Sequence, residues 1–251
     1  MTLSGKHAVV TGGARGIGLA IAKLLAKEGA HISVLSRSSS PSRNPDHGAS
    51  DFFRVAADVT DEGAVRRAFT AYRERFGPIA ILVNNAGMAE SAPLTRTPRG
   101  LWDRTIATNL TGTFLCTQAA VGDMLAAGWG RIVNVASIAG LVGAPYISAY
   151  CASKHGVVGF TRAVAAELSG SGVTANAVCP GYTDTEMMGR AIDNIMRRTG
   201  RGEDETRALL ARDNPGGRIA TADEVAQSVL HLVTGSETGL AVVIPEPSAL
   251  P

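Results

Sequence analysis

Short apolar runs of strand length alternate along this chain with longer segments whose apolar residues recur at helical spacing. Residues 7–11 (HAVVT) form a β-branched run that ends in a glycine cluster. Ile17, Ala20, Ile21, Leu24 and Leu25 then follow the helical period, and Gly29 supplies a stop signal. Residues 31–36 (HISVLS) and 52–57 (FFRVAA) predict the second and third strands, and residues 61–76 predict the next helix. Residues 79–83, 131–135 and 173–178 predict three further strands, separated by long helices over roughly 100–127 and 148–168. A helix over 222–233 and a short strand over 240–244 complete the series; Pro245 lacks an N–H for a ladder, so the last strand should stop by Ile244.

Strands that are apolar on both faces and alternate with helices predict an α/β fold. The expected architecture is a Rossmann-like, doubly wound parallel sheet covered by helices on both sides. One domain, residues 1–251, should hold it. Residues 37–50 (RSSSPSRNPDHGAS) are polar and rich in Ser and Pro, which predicts a loop in place of a helix after the second strand. Residues 183–214 are charged and carry Met187, Met188 and Met196. This stretch predicts one or two helices forming a mobile lid.

Composition narrows the possibilities. At 251 residues the chain suits one substantial core, and 45% hydrophobic with 18% charged residues is an ordinary globular balance. A net charge of +2 with no basic run argues against nucleic-acid or membrane-surface partners. No run approaches the ~18 apolar residues of a membrane span, and the N-terminus carries no charged-then-apolar leader. A cytoplasmic enzyme is expected. Cys116, Cys151 and Cys179 are odd in number and widely spaced, so neither a disulfide framework nor a metal site is indicated. They read as small buried hydrophobes.

Chemistry first appears after the first strand, in Thr11-Gly12-Gly13-Ala14-Arg15-Gly16-Ile17-Gly18. Glycines between a strand and a helix let the backbone approach a pyrophosphate, and the helix N-terminus offers free N–H groups and partial positive charge. An Asp or Glu closing the second strand would bind the ribose 2′-hydroxyl of NAD and repel a 2′-phosphate. This chain has Ser36-Arg37 there, and Arg15 in the turn can reach the same region. Two guanidiniums favour NADP(H) over NAD(H) through charge-assisted hydrogen bonds. Asp58, followed by Val59, is placed after the third strand to accept from an adenine amino group; an N-cap is the competing role for Asp58.

Tyr150 and Lys154 lie four apart on a predicted helix and share a face. Ser137 follows the fifth strand and falls at the carboxyl edge of the sheet, where open α/β sheets bind ligands. A tyrosine titrates near ~10, so it needs help to move a proton at neutral pH. An adjacent ammonium and the positive ring of an oxidised nicotinamide should lower that value. Ser137 can donate to a substrate oxygen where negative charge grows. Asn109, a mediocre helix former within a helical segment, is expected to hold a water that links Lys154 to solvent. His155 reads as a helix-surface residue.

On these residues the chain resembles the short-chain dehydrogenase/reductase family in its compact branch. The matching positions are residues 11–18, Asp58, Asn84-Asn85-Ala86-Gly87, Asn109, Ser137, Tyr150 with Lys154, and Pro180-Gly181 with Thr185; Ser137 precedes Tyr150 by thirteen positions. The resemblance implies a seven-stranded sheet and a catalytic tetrad of Asn109, Ser137, Tyr150 and Lys154. It also implies that Lys154 holds the nicotinamide ribose, that Asn85 and Thr183 contact the cofactor, and that the chain forms a homotetramer or homodimer through the helices bearing Asn109 and Tyr150. The segments 153–161 and 176–181 are similar to those of 3-oxoacyl reductases and aromatic polyketide ketoreductases, although Met88-Ala89-Glu90-Ser91 replaces the Pro-Gly-Gly usual in the latter.

The function so implied is NADPH-dependent reduction of a ketone, 3-oxoacyl or polyketide-like, to a secondary alcohol, with Tyr150 as acid/base. The alternatives are an alcohol or hydroxysteroid-type dehydrogenase and a catalytically silent NADP(H) sensor. Ile138, Leu141, Val142, Ala144, Pro145, Tyr146, Met187 and Met188 suggest an apolar substrate pocket. Arg190, Arg197, Arg198, Arg201, Arg207 and Arg212 offer contacts for a phosphate-bearing thioester carrier, while Asp193, Glu203, Asp204, Glu205 and Asp213 among them suit a solvated face.

Overall fold

The run His7–Thr11 is buried at every position and forms β1 of the structure, a computed structural model that describes residues 3–37 and 52–245. Neighbouring valines explain why both faces of the strand must be covered. Val10 points to one side, against Ile21 and Leu25 of α1 (Gly16–Lys27) and Val225 and Val229 of α8 (Ala222–Thr234). Val9 points to the other, against Phe69 and Tyr72 of α2 (Glu62–Phe76), Ala120 and Met124 of α4 (Gly112–Ala127) and Ala165 of α5 (Ser148–Glu167). Period-2 alternation within one strand thus feeds two separate cores.

Six more strands complete the sheet: β2 (His31–Ser36), β3 (Phe53–Ala56), β4 (Ile81–Asn84), β5 (Gly130–Val135), β6 (Val173–Pro180) and β7 (Ala241–Ile244). Their order is β3-β2-β1-β4-β5-β6-β7 and every pairing is parallel. The order reverses between β1 and β4, which places a crevice at the carboxyl ends of those strands. This is the seven-stranded Rossmann-like fold expected. The segment expected as a lid contains two helices, α6 (Glu186–Thr199) and α7 (Glu203–Arg212), which share a small apolar cluster.

Local chemistry moves several predicted boundaries. Asp61 is the N-cap of α2 rather than its first residue; its carboxylate accepts from Ala64 N at 2.9 Å. The strand expected from residue 79 begins at Ile81, and Ile79 N donates instead to Asp123 at 2.9 Å. The helix expected over 100–127 has three parts. Arg99–Ile106 is α3, Ala107–Thr111 is a π-helical turn, and α4 follows. A widened turn adds one residue and carries no residue-type signature of its own, so the sequence pattern does not reveal it. The strand predicted to stop before Pro245 does so. The loop expected over 37–50 lies outside the described residues apart from Arg37, as does the tail from residue 246. Among the described residues no helix is long and apolar enough to cross a membrane.

Candidate active site

The glycine turn joins β1 to α1. Gly12 and Gly16 hold φ of +65° and +53°, the left-handed region that favours glycine. A Cβ on Gly18 would lie 2.5 Å from Gly12 O, so only glycine permits this close return of the chain. The helix ladder starts with Leu19 N donating to Arg15 O at 3.2 Å. The N–H groups of Gly16, Ile17 and Gly18 are therefore left without an intrahelical partner, as an anion site requires.

Two residues expected to touch a cofactor also brace the turn itself. The buried Thr11 hydroxyl accepts from Asn85 N and Ala86 N, each at 3.0 Å. The Asn85 side-chain amide donates to Thr11 O and Gly12 O at 3.0 and 3.2 Å. Both side chains fasten the glycine turn to the loop after β4. Arg15 is exposed, and its guanidinium donates to Glu186 at 2.7 Å. Arg37 is exposed at the end of β2, whose last residue, Ser36, pairs with Ala56 of β3. Asp58 does not cap α2; its Oδ1 accepts from Thr60 N and Oγ1 at 2.9 and 2.8 Å. Val59 is buried beneath Gly112, where a Cβ would come within 2.7 Å of it.

Ser137, Tyr150, Lys154 and Asn109 do converge. Ser137 follows β5 and caps a short 3₁₀ turn (Ile138–Gly140), accepting from Ala139 N at 3.1 Å. It donates to Pro180 O at 3.3 Å, and its hydroxyl lies close enough to the Tyr150 phenol to act on that group's titration. Burial pushes the Tyr150 pKa up, and the Ser137 bond pulls it partly back. Lys154 is buried, with Nζ donating to Val135 O at 2.7 Å and lying 5.7 Å from the Tyr150 ring centroid. Desolvation pushes its pKa down to about 8. The Lys154 ammonium is directed at the Val135 carbonyl, and burial is the largest influence on both titrations.

Asn109 sits in the π turn between α3 and α4, and protein groups occupy its side chain. Oδ1 accepts from Met88 N at 2.8 Å, and Nδ2 donates to Met88 O and to Ser153 Oγ, both at 3.0 Å. Ser153 Oγ in turn donates to Tyr150 O at 2.8 Å. The wide turn therefore aims an amide at the helix that carries Tyr150. A Cβ on Gly87 would lie 3.3 Å from Asn109 Oδ1 and 3.7 Å from Lys154 Nζ, so glycine keeps the space beside the lysine open.

The stretch after β6 closes the remaining side. Gly181 N donates to Ile244 O at 2.8 Å, the Thr183 hydroxyl donates to Gly181 O at 3.1 Å, and the Thr185 hydroxyl donates to Thr183 O at 3.2 Å. The Thr185 methyl group would be 3.6 Å from a Cβ on Gly16, so α6 begins directly over the glycine turn. Buried Asn214 holds this bend, accepting from Tyr182 N and donating to Tyr182 O and Arg218 O. Sequence reasoning did not single out Ser153, Asn214 or Glu186. Ser153 carries a usable signal, because it is three residues after Tyr150 on the same helix; Asn214 is linked only through tertiary contact.

Of the expected pocket residues, Val142, Ala144, Pro145, Tyr146 and Met187 are exposed and Ile138 is half-buried. Met188 instead packs into the α6–α7 cluster with Ile192 and Leu210, and Leu141 packs against the cluster of Val157 and Val158. Among the arginines of that segment, Arg201, Arg207 and Arg212 pair with Glu205, Asp184 and Glu203, and Asp213, as a solvated face would. Cys116 and Cys179 are buried, Cys151 is half-buried, and all three are free. Exposed His155 bonds Cys151 O at 2.9 Å. Among the described residues no cluster of three or more His, Cys, Asp or Glu side chains is placed to hold a metal ion.

The short chain dehydrogenase family model matches residues 6–195. A 3-oxoacyl-[acyl-carrier-protein] reductase, MabA, of Mycobacterium avium is 40% identical over 96% of this chain and 88% of its own. A D-beta-hydroxybutyrate dehydrogenase of Rhizobium meliloti is 39% identical, covering 90% of this chain and 91% of its own. A crystal structure of an actinorhodin polyketide ketoreductase variant with NADPH superposes with a TM-score of 0.90 at 35% identity, covering 95% of both chains. The seven-stranded sheet agrees with these likenesses: the chain belongs to the short-chain dehydrogenase family and is an oxidoreductase.

Proposed function

We propose that this protein reduces a ketone to a secondary alcohol with NADPH, and that Tyr150 supplies the proton. The observation that carries the reading is the convergence of buried Ser137, at the carboxyl edge of the sheet, and buried Lys154, one helical turn away, on Tyr150. A nicotinamide dinucleotide fits the residues present. Gly16, Ile17 and Gly18 offer N–H groups to its pyrophosphate, and Gly87 leaves room beside Lys154 for its ribose. The bound cofactor supplies the hydride.

The chain's own residues manage the proton. The Ser137 hydroxyl orients the ketone oxygen, and Tyr150 gives its proton to that oxygen as charge develops there. Lys154, with a pKa of about 8, remains largely protonated at neutral pH and steadies the resulting phenolate. Asn109 reaches Tyr150 through Ser153 and is a positioning residue for the helix. Arg15 and Arg37, with no carboxylate ending β2, favour the 2′-phosphate of NADPH. Pro180, Gly181, Thr183 and Thr185 form the far wall of the cofactor site, and α6–α7 acts as a lid over it.

The substrate class we favour is a 3-oxoacyl or polyketide-like ketone, carried as a thioester, in keeping with the names of MabA and the ketoreductase structure. Relatives named D-beta-hydroxybutyrate dehydrogenase and D-threitol dehydrogenase (Mycolicibacterium smegmatis) are as similar, at 39% and 41% identity, and support a second reading in the alcohol-oxidising direction. Exposed Phe114 of α4 meets Phe160 of α5 edge-on at 6.3 Å, an apolar face suited to a homo-oligomer. The test is cofactor oxidation over a panel of 3-oxoacyl thioesters and simple ketones with NADPH and NADH in parallel. Turnover of the thioesters with NADPH supports the reading. Activity confined to hydroxy-acid or polyol oxidation, or a clear preference for NADH, overturns it.

A further inference from the structure

Arg15 already has an acidic partner within the protein. Its Nη1 lies 2.7 Å from Glu186 Oε2, joining the glycine turn to the first residue of α6. The two residues are 171 positions apart, so only the fold brings them together. The approach is also fixed by backbone, since α6 starts over the turn with Thr185 against Gly16. Both partners are more than half exposed, which makes the pair weak enough to exchange for another anion. Other bonds hold α6 whether or not this pair forms: Asp184 to Arg207 and Asn194 to Ser91.

We propose that Glu186 sets the cofactor preference, acting as an internal anion that competes with the ribose 2′-phosphate for Arg15. The inference rests on the assignment of Arg15 to that phosphate. A 2′-phosphate carries close to two negative charges near neutral pH. To reach the guanidinium it must displace the single charge of Glu186, which then stays nearby and repels it. A 2′-hydroxyl demands no such exchange and feels no such repulsion. Glu186 thus costs NADPH affinity and leaves NADH almost untouched, so it narrows the preference that Arg15 and Arg37 create.

The test is a binding cycle read by titration calorimetry, without turnover, on wild type, Glu186→Gln, Arg15→Gln and the double variant. Each is titrated with NADPH, with NADH, and with the fragments adenosine 2′,5′-bisphosphate and 5′-AMP. Glu186→Gln should tighten NADPH and the bisphosphate about three- to ten-fold, more at low salt than at high, with NADH and 5′-AMP unchanged. In the Arg15→Gln background the same substitution should have less than half that effect. Equal tightening of NADPH and NADH, no tightening, or an undiminished effect without Arg15 overturns the role of Glu186. If Arg15→Gln weakens NADPH selectively while Glu186→Gln does nothing, the phosphate assignment survives and only the competition falls. If Arg15→Gln weakens both cofactors alike, the assignment itself falls. Since Glu186 is exposed and Gln preserves its size, the variant should fold as wild type.

Discussion

Replacing Ser153 with Ala should separate the support of the site from its chemistry. Ser153 is fully buried and its hydroxyl makes two bonds, accepting from Asn109 Nδ2 and donating to Tyr150 O. The carbonyl keeps its helical partner when the hydroxyl goes, so little is lost there. The amide hydrogen of Asn109 is stranded away from water, at a cost of about 1–3 kcal/mol. Alanine returns about 0.5 kcal/mol through its better helix propensity, and removing one oxygen leaves almost no cavity. The net expectation is a loss of about 1–2 kcal/mol, which lowers Tm by roughly 2–8 °C for a chain of this size. Denaturant unfolding should show a lower midpoint with unchanged slope. The decisive form is a double-mutant cycle with Asn109→Ala. Without the donor, Ser153→Ala should cost less than about 0.5 kcal/mol, giving a coupling of about 1 kcal/mol. An equal cost in both backgrounds would refute the claim that the two side chains act through their shared bond.

Two titrations and one steric test follow from the same structure. Lys154 has a folded pKa of about 8, depressed by burial from 10.5, so the unfolded chain holds a proton that the folded one releases. Lys154 should therefore add stability as pH increases from about 8 to 10, against the opposite contribution of buried Cys116 and Cys179 above pH ~9, and Lys154→Met should make the wild-type-minus-variant stability difference grow across that range in urea titrations. Burial also lowers the pKa of His7, whose Nδ1 donates to Gly77 O at 2.8 Å and whose Nε2 accepts from Ser33 at 2.9 Å. Stability should accordingly fall as pH drops below ~6.5, and a Tm that stays flat from pH 7.5 to 5.5 would contradict the assignment. Gly18→Ala would place a Cβ 2.5 Å from Gly12 O and 2.4 Å from Asn85 Nδ2. Because one of these is backbone, the turn must shift; a loss of about 1–3 kcal/mol and weaker dinucleotide binding are expected by thermal unfolding and calorimetry.

The central strands were legible in the sequence because they are buried on both faces, and an uninterrupted apolar run of that length fits a covered parallel sheet better than any exposed element. The order of strands and helices followed from the same pattern, and the positions of Ser137, Tyr150 and Lys154 from helix spacing and a place at the sheet edge. What escaped depends on contacts across the fold. The π turn at Asn109 is a single inserted residue, too small a phase shift to separate from ordinary scatter in the apolar pattern. The duties of Thr11 and Asn85 were hidden because a threonine or asparagine beside a glycine turn can serve a ligand or the backbone equally well. The Arg15–Glu186 pair joins distant residues, and charge alone does not say which acid a surface arginine meets. Lys154 was expected to act on the phenol at short range, and its bond to Val135 O became visible only when β5 and α5 were placed together.

The proposed ketone reduction depends most on the proton that Tyr150 is proposed to donate. Tyr150→Phe keeps the ring and removes only the hydroxyl, and Ser137, Lys154 and the glycine turn remain in place. Ketone reduction by this variant should fall by at least about a hundred-fold, the lower end of what a positioned acid/base contributes, while its affinity for NADPH, read from cofactor fluorescence, should stay within about two-fold of wild type. A variant that binds NADPH normally and still reduces its best ketone at a rate near that of wild type would contradict the proposed role of Tyr150.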